Sequence, residues 1–338
     1  MPNQRDVAIL AGVSSASVSR FLKNPCLVSP DTAKNIREAI ESSGYKLDYF
    51  ARSLKTGRSH HVGILLPGIG PFYWEVLQVI QDRLTRAGYF NTTFYTCDID
   101  SAIHSSRDML KKFLSNNMIE GVIFFPLDTP EDMEIMGELR RFHEHIVVVD
   151  REMDDKTLNQ VFVDNQEAGR NAAQAFLDEG HSKLLYLHGK ESSYAAQMRR
   201  RGFVERLQET GISLGENRII YGDYTSTMAY TLAKEGFSRL PDFTGVFAVS
   251  DASAIGFLRA ARECGLDCPK DFSLIGFDNN KEFTPYINPS LTTFQQPLGT
   301  MGALAAKRLI SQIDGHGDTE MIMLQARFIR RESLAAVS

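Results

Sequence analysis

The sequence predicts a chain in two parts, a small all-α head followed by an α/β core of two doubly wound parallel-sheet lobes. Three observations carry that prediction. The first sixty residues hold three short helical patterns with strong start and stop signals. From His61 onward, apolar runs alternate with amphipathic stretches, the mark of parallel sheets with crossover helices. These βα units are too many for one sheet, so two similar lobes are the economical arrangement.

In the head, Asn3 can cap a first helix that has Asp6 at its third position. Val7, Ala8, Leu10 and Ala11 are its apolar positions, and Gly12 stops it. Ser14 can cap a second helix, Ser15 to about Lys23, with Val18 and Phe21 or Leu22 turned inward; Asn24-Pro25 ends it. A third opens at Val28-Ser29-Pro30-Asp31, with an apolar residue, a serine cap, proline at the first position and an acid in the first turn. Ile36, Ala39 and Ile40 form its buried stripe, and Ser43-Gly44 closes it.

In the core, strands are predicted at 62–66, 92–95, 121–125, 146–149, 161–163, 184–188, 219–221, 245–249, 272–275 and 291–294. Helices are predicted at 73–87, 105–114, 166–179, 201–209, 230–238, 252–264 and 301–313. The resulting division is a head at 1–46, a connecting segment at 47–60 and a core at 61–338. Within the core, one lobe takes about 62–162 and 295–322 and the other about 163–291 and 323–338. A ligand belongs in the crevice at the carboxyl ends of the strands.

Composition narrows the function. The chain has 338 residues, 43% of them hydrophobic, enough for two or three domains with real cores. No run approaches the ~18 apolar residues of a membrane span, and Met1 to Asp6 is polar, so a cytoplasmic protein is expected. Cys26, Cys97, Cys264 and Cys268 form no metal-ligand pattern and read as reduced structural residues. No cofactor is implied. The net charge of −5 hides an asymmetry: residues 1–60 hold nine Lys/Arg against five Asp/Glu, a balance of +4, so the remainder carries −9. A basic head on an acidic body fits polyanion binding by the head.

The stretch Asp6-Val7-Ala8, then Ala11-Gly12-Val13-Ser14-Ser15-Ala16-Ser17-Val18-Ser19-Arg20, is a short helix, a tight turn and a second helix with small polar residues outward. That is helix-turn-helix geometry, in which the second helix enters the DNA major groove. The block resembles the lactose repressor (LacI/GalR) family of bacterial transcriptional regulators. The resemblance continues through Gly44-Tyr45, Ala51-Arg52-Ser53-Leu54-Lys55, Val148-Val149-Asp150-Arg151, Glu179-Gly180-His181, Gly202-Phe203, Ser250-Asp251, Leu274-Ile275-Gly276-Phe277-Asp278-Asn279 and Pro289-Ser290-Leu291-Thr292-Thr293. It therefore covers nearly the whole chain, and it implies a core of the periplasmic-binding-protein type.

The resemblance implies that Ser15, Ala16 and Arg20 face base edges, and that Ser14, Ser19 and Asn24 suit phosphate. Arg20 can donate a bidentate pair to guanine, whereas Ala16 offers only a methyl contact and is also a plain surface helix residue. Residues 49–56 are too few for a lone helix. By resemblance they form a hinge helix, with Leu54 wedged into the minor groove and Arg52 and Lys55 near phosphate. Leu47-Asp48 stands where the family usually has Pro-Asn, which leaves the entry to that hinge less rigid.

By the same resemblance an effector sits between the lobes. Phe72, Tyr73 and Tyr224 would stack on a sugar face, with Trp74 a further candidate. Asp150, Gln197, Arg199, Ser250, Asp251 and Asp278 would bond its hydroxyls. Bland readings stand beside these: Arg199-Arg200-Arg201 can be a solvated face, and Asp251 can simply cap its helix. Enzyme readings find little, since Gly68-Ile69-Gly70 has Tyr73 where a dinucleotide loop needs its third glycine, and no P-loop, GxSxG or HExxH is present. His60-His61 reads as linker. The expectation is a homodimeric repressor that binds a palindromic double-stranded operator under control of a sugar or sugar derivative. The last residues offer no heptad tail for a larger bundle. A secreted sugar-binding receptor of the same fold is the competing class, and it would need a signal peptide and no basic head.

Overall fold

The computed structural model describes residues 2–45, 58–68, 70–96, 102–116, 118–127, 129–142 and 145–337. It divides into two compact units, Met1–Ser59 and His60–Ser338. The predicted hinge with Arg52, Leu54 and Lys55, as well as Cys97, lies outside the described residues.

The head consists of α1 (Gln4–Leu10), α2 (Ser15–Lys23) and α3 (Pro30–Ser43). Each begins on the cap that the sequence offers. Asn3 and Asp6 close a reciprocal capping box, Ser14 accepts from the Ser17 amide, and Ser29 accepts from the Thr32 amide. Gly44 ends α3 at φ +62, in the left-handed region that glycine enters without strain. Val7, Ala8, Ala11, Val18, Phe21, Ala33, Ile36 and Ala39 form one core. Leu10 departs from the expected stripe: it is exposed together with Ile9.

The core's first lobe is built on a six-stranded parallel sheet in the order β11-β5-β4-β3-β1-β2. Its strands are β1 (His61–Leu66), β2 (Phe90–Tyr95), β3 (Gly121–Phe124), β4 (Ile146–Val149), β5 (Asn159–Val163) and β11 (Met321–Leu324). Alternation along the strands assigns the two faces. Val62, Ile64 and Leu66 pack under α4 (Pro71–Arg86) and α11 (Leu298–Ile313). Leu65, Phe124 and Val148 pack under α5 (Ala102–Ser115) and α6 (Pro130–Phe142). Helix α6 has no counterpart in the sequence reading.

The second lobe holds a four-stranded parallel sheet, β7-β6-β8-β9, of β6 (Leu184–His188), β7 (Ile219–Tyr221), β8 (Gly245–Ala248) and β9 (Ser273–Ile275). Helices α7 (Asn165–Asp178) and α8 (Tyr194–Gln208) cover one face. Helices α9 (Ser226–Gly236) and α10 (Asp251–Glu263) cover the other. α7 and α8 meet backbone to backbone: a Cβ on Gly169 would lie 2.1 Å from the Arg199 carbonyl oxygen, and one on Gly202 would lie 1.8 Å from that of Gln166. Only glycine fits at either position.

Among the described residues the chain passes between lobes three times. It crosses from β5 into α7, from β10 (Thr293–Gln295) into α11, and from β11 into β12 (Arg327–Ile329), which pairs antiparallel with β10. Of the described cysteines, Cys26 and Cys264 are exposed and only Cys268 is buried, so the structural reading fits Cys268 alone. Among the described residues, no helix is long and apolar enough to cross a membrane.

Candidate DNA-reading helix and ligand cleft

On α2, Val18 is fully buried while Ser14, Ser15, Ala16, Ser19 and Arg20 are exposed, as is Asn24 just beyond the helix. The helix thus presents an exposed strip of serine hydroxyls and one guanidinium, with the Ala16 methyl among them. Ser14 is partly committed to its cap and to the Ser17 hydroxyl at 3.0 Å. The Asn24 side-chain oxygen accepts the Cys26 amide at 2.9 Å, which leaves its NH2 as the outward donor.

In the core, four of the predicted residues gather at the carboxyl ends of strands. Asp150 follows β4, Tyr224 follows β7, Asp278 follows β9, and Arg199 reaches in from α8. Three of them hold backbone conformations that side chains rarely adopt: φ is +68 at Asp150, +74 at Tyr224 and +114 at Asp278. Such strain collects where a site demands a particular side-chain direction.

Arg199 is only 3% exposed, which overturns the solvated-face reading for this residue; its neighbour Arg201 is the exposed one. Its Nε donates to Asn165 Oδ1 at 2.8 Å and an Nη donates to the Val249 carbonyl at 2.7 Å. The guanidinium carbon lies 3.5 Å from the centre of the Phe277 ring. Burial pushes the Asp150 carboxyl up to about 7, with Arg199 opposing and Asp278 adding to the rise. Burial likewise pushes Asp278 up to about 6, against Arg199 and a hydrogen bond from Gln296 Nε2 at 2.8 Å. Asp150 Oδ1 and Gln296 Oε1 are buried without a partner. The Tyr224 hydroxyl and Ser193 Oγ lie 2.6 Å apart, and burial raises the phenol's pKa. A Cβ on Gly189 would come within 2.4 Å of the Tyr224 ring, so that glycine makes room for it.

The other predicted residues play different parts. Ser250 caps α10, accepting from the Ser253 amide at 3.1 Å, and its hydroxyl donates to the Tyr224 carbonyl at 3.2 Å. Asp251 is a strut: it accepts the Thr293 hydroxyl at 2.6 Å and the Asn280 amide at 2.8 Å, fixing the loop that carries Asp278. Burial, then Asp278, pushes Asp251 up to about 8. Phe72 and Tyr73 stand half-buried in the first turn of α4, edge to face at 5.1 Å, with Tyr73 also against Phe125. Trp74 is 58% exposed. Gln197 is exposed and donates to the Glu191 carbonyl at 2.6 Å. Two residues on a helix differ by roughly 200°, which turns Gln197 away from Arg199.

Asn165 and Phe277, which hold Arg199, Gln296, which holds Asp278, and Ser193, which meets the Tyr224 hydroxyl, are not among the residues that the sequence points to. The family-like run at 274–279 contained Phe277, and the Ser193 signal was its position as a helix cap. The cluster as a whole offers two buried acceptors in want of donors, two carboxylates of raised pKa, one guanidinium and a phenol. It can bind a compact ligand rich in O–H or N–H groups.

Residues 4–48 match the family model described as bacterial regulatory proteins, lacI family, and residues 173–334 match that of the periplasmic binding protein-like domain. The chain is 26% identical over 337 residues to the HTH-type transcriptional repressor PurR of Photobacterium profundum, covering 99% of each chain. Among solved structures it resembles the transcriptional regulator CelR in complex with cellobiose, with a TM-score of 0.73 and 25% identity over 98% of this chain and 100% of that one. It shares the fold of the Lac repressor dimer bound to operator and the anti-inducer ONPF, with a TM-score of 0.85 and 20% identity over 99% of each. The chain thus carries a head that matches the lacI family model and a core that matches the periplasmic binding protein-like domain, and along nearly its whole length it is similar to HTH-type transcriptional regulators.

Proposed function

We propose that this protein is a sequence-specific DNA-binding repressor whose hold on a palindromic operator is set by a sugar or sugar derivative bound between the core lobes. Residues 1–46 read the operator, 47–60 connect, and 61–338 bind the effector and form the homodimer. Ser15, Ala16 and Arg20 face bases, with Ser14, Ser19, Asn24, Arg52 and Lys55 at phosphates and Leu54 as the wedge.

The observation that carries the effector reading is the buried, unpartnered oxygen of Asp150 in a cluster with Asp278, Arg199 and Tyr224. A buried acceptor without a donor is costly, and a ligand hydroxyl satisfies it. Cellobiose in the CelR complex is a ligand of that chemistry. Ligand-driven movement of the lobes then alters how the two heads of a dimer engage DNA, and linkage makes operator and effector change each other's affinity by the same factor.

A thermal-shift screen of mono- and disaccharides on the full chain, followed by operator gel shifts with each hit, tests this reading. The expected result is a sugar that raises the melting temperature and changes operator affinity. Stabilisation by no sugar, or by one that leaves operator affinity unchanged, overturns the effector assignment.

A further inference from the structure

We infer that Tyr194 and Glu152 form a clasp between the lobes, outside the ligand cleft, that sets how far the core is closed before any effector binds. The inference rests on the proposed reading that lobe movement carries the effector signal.

The two residues belong to different lobes. Glu152 follows β4 in the first lobe, and Tyr194 opens α8 in the second. The Tyr194 hydroxyl donates to Glu152 Oε2 at 2.9 Å, a hydrogen bond strengthened by the carboxylate charge. The Arg151 guanidinium lies 5.6 Å from the centre of the same ring. The first lobe therefore grips this tyrosine by both its hydroxyl and its face. Partial burial and the Glu152 carboxylate both raise the phenol's pKa, which keeps the hydroxyl a donor.

Beside the clasp lies a cavity of about 310 Å³, bounded by Phe162 and Met323 from the first lobe and Asn165 and Met198 from the second. The lobes are not packed solidly at this seam, so a polar link there bears on their separation. The same two backbones also carry the cleft groups. Asp150 precedes Arg151 and Glu152, while Ser193, which meets the Tyr224 hydroxyl, caps α8, and Arg199 lies five residues beyond Tyr194. Loosening the clasp thus frees the segments that present Asp150 and Arg199, and through Arg199 it loosens the loop of Asp278, which that guanidinium faces.

Hydrogen exchange on the ligand-free full chain tests this, using Tyr194→Phe, Glu152→Ala and the double variant. Tyr194→Phe removes the hydroxyl and keeps the ring under Arg151. A partly exposed hydrogen bond of this kind predicts exchange about two- to fivefold faster in peptides around Asp150 and around Asp278, on both sides of the cleft. Peptides of β1 and β8 should stay unchanged, which a general loss of structure would not allow. Glu152→Ala should match Tyr194→Phe, and the double variant should add nothing to either. Unchanged exchange near Asp278, additive effects, or acceleration in all peptides overturns the clasp. Operator affinity is measured on the same proteins. Faster cleft exchange with unaltered operator affinity leaves the clasp standing and removes the reading that lobe movement governs DNA binding.

Discussion

The proposed DNA-reading strip of α2 and the proposed ligand site of the core would solve recognition in opposite ways. On α2 the candidate reading groups are exposed, and the helix is held by Val18 and Phe21 behind them. In the core cluster, Arg199, Gln296 and the strut Asp251 are buried, so groups proposed for ligand binding are also part of the packing. The difference teaches that specificity in the head can change at little cost to folding, whereas in the cleft the two are coupled. Surface substitutions usually stay within about 0.5 kcal/mol, while breaking a buried charged network costs several.

The most severe test of that contrast is Arg199→Ala. It strips the partner from Asn165 and the Val249 carbonyl and leaves two buried carboxyls without their cation. A loss of about 3–5 kcal/mol in urea unfolding is expected. A variant within 1 kcal/mol of the parent would erase the distinction between strip and cleft. Arg20→Ala should do the reverse, lowering operator affinity by about 1–3 kcal/mol while leaving the unfolding curve in place. Gel shifts on the selected operator and on a sequence altered in one half-site read both the loss and the relaxed specificity.

A third test uses pH. The Asp150 carboxyl has a folded pKa of about 7, above its unfolded value of about 4, so folding takes up a proton between them. Stability from this group is complete below about pH 4 and is lost as pH rises through about 7. Asp150→Asn cannot ionise, so it should flatten part of that slope and exceed the parent at pH 8 by on the order of 1–2 kcal/mol. Melting curves at pH 5, 6, 7 and 8 check the sign, and a parent that gains stability across the window contradicts it. The smallest effect concerns the head alone. Ser29→Ala removes the α3 cap and should cost about 1 kcal/mol with no change in which operator is preferred.

Where one residue's local chemistry decides the outcome, the sequence was readable. The head's three caps and the Gly44 stop all stand where the residue types put them. Where several weak contributions decide, it was less so. Helix α6 is hard to read in the sequence because Gly137 and a dense run of charges mask the Ile135, Met136 and Leu139 stripe, although Thr129-Pro130 marks its start. The sequence pattern puts the start of α8 at Arg201, seven residues after the helix begins, because Arg199 is buried and breaks the expected division into polar and apolar faces. Strands β11 and β12 are half-exposed edges with little apolar alternation. In the cleft, charged residues announced themselves, but Asn165 and Gln296 matter only through what the fold brings beside them, and no local pattern encodes that.

The three chain crossings between the lobes have a mechanical consequence. A single tether lets two bodies swivel about any axis, but three tethers side by side act like the knuckles of a door hinge and leave one easy rotation. Ligands of different shape and polarity are then reduced to one variable, the angle of that rotation. Under the proposed function, the lining of the cleft can diverge from one ligand to another while the rotation it drives stays the same.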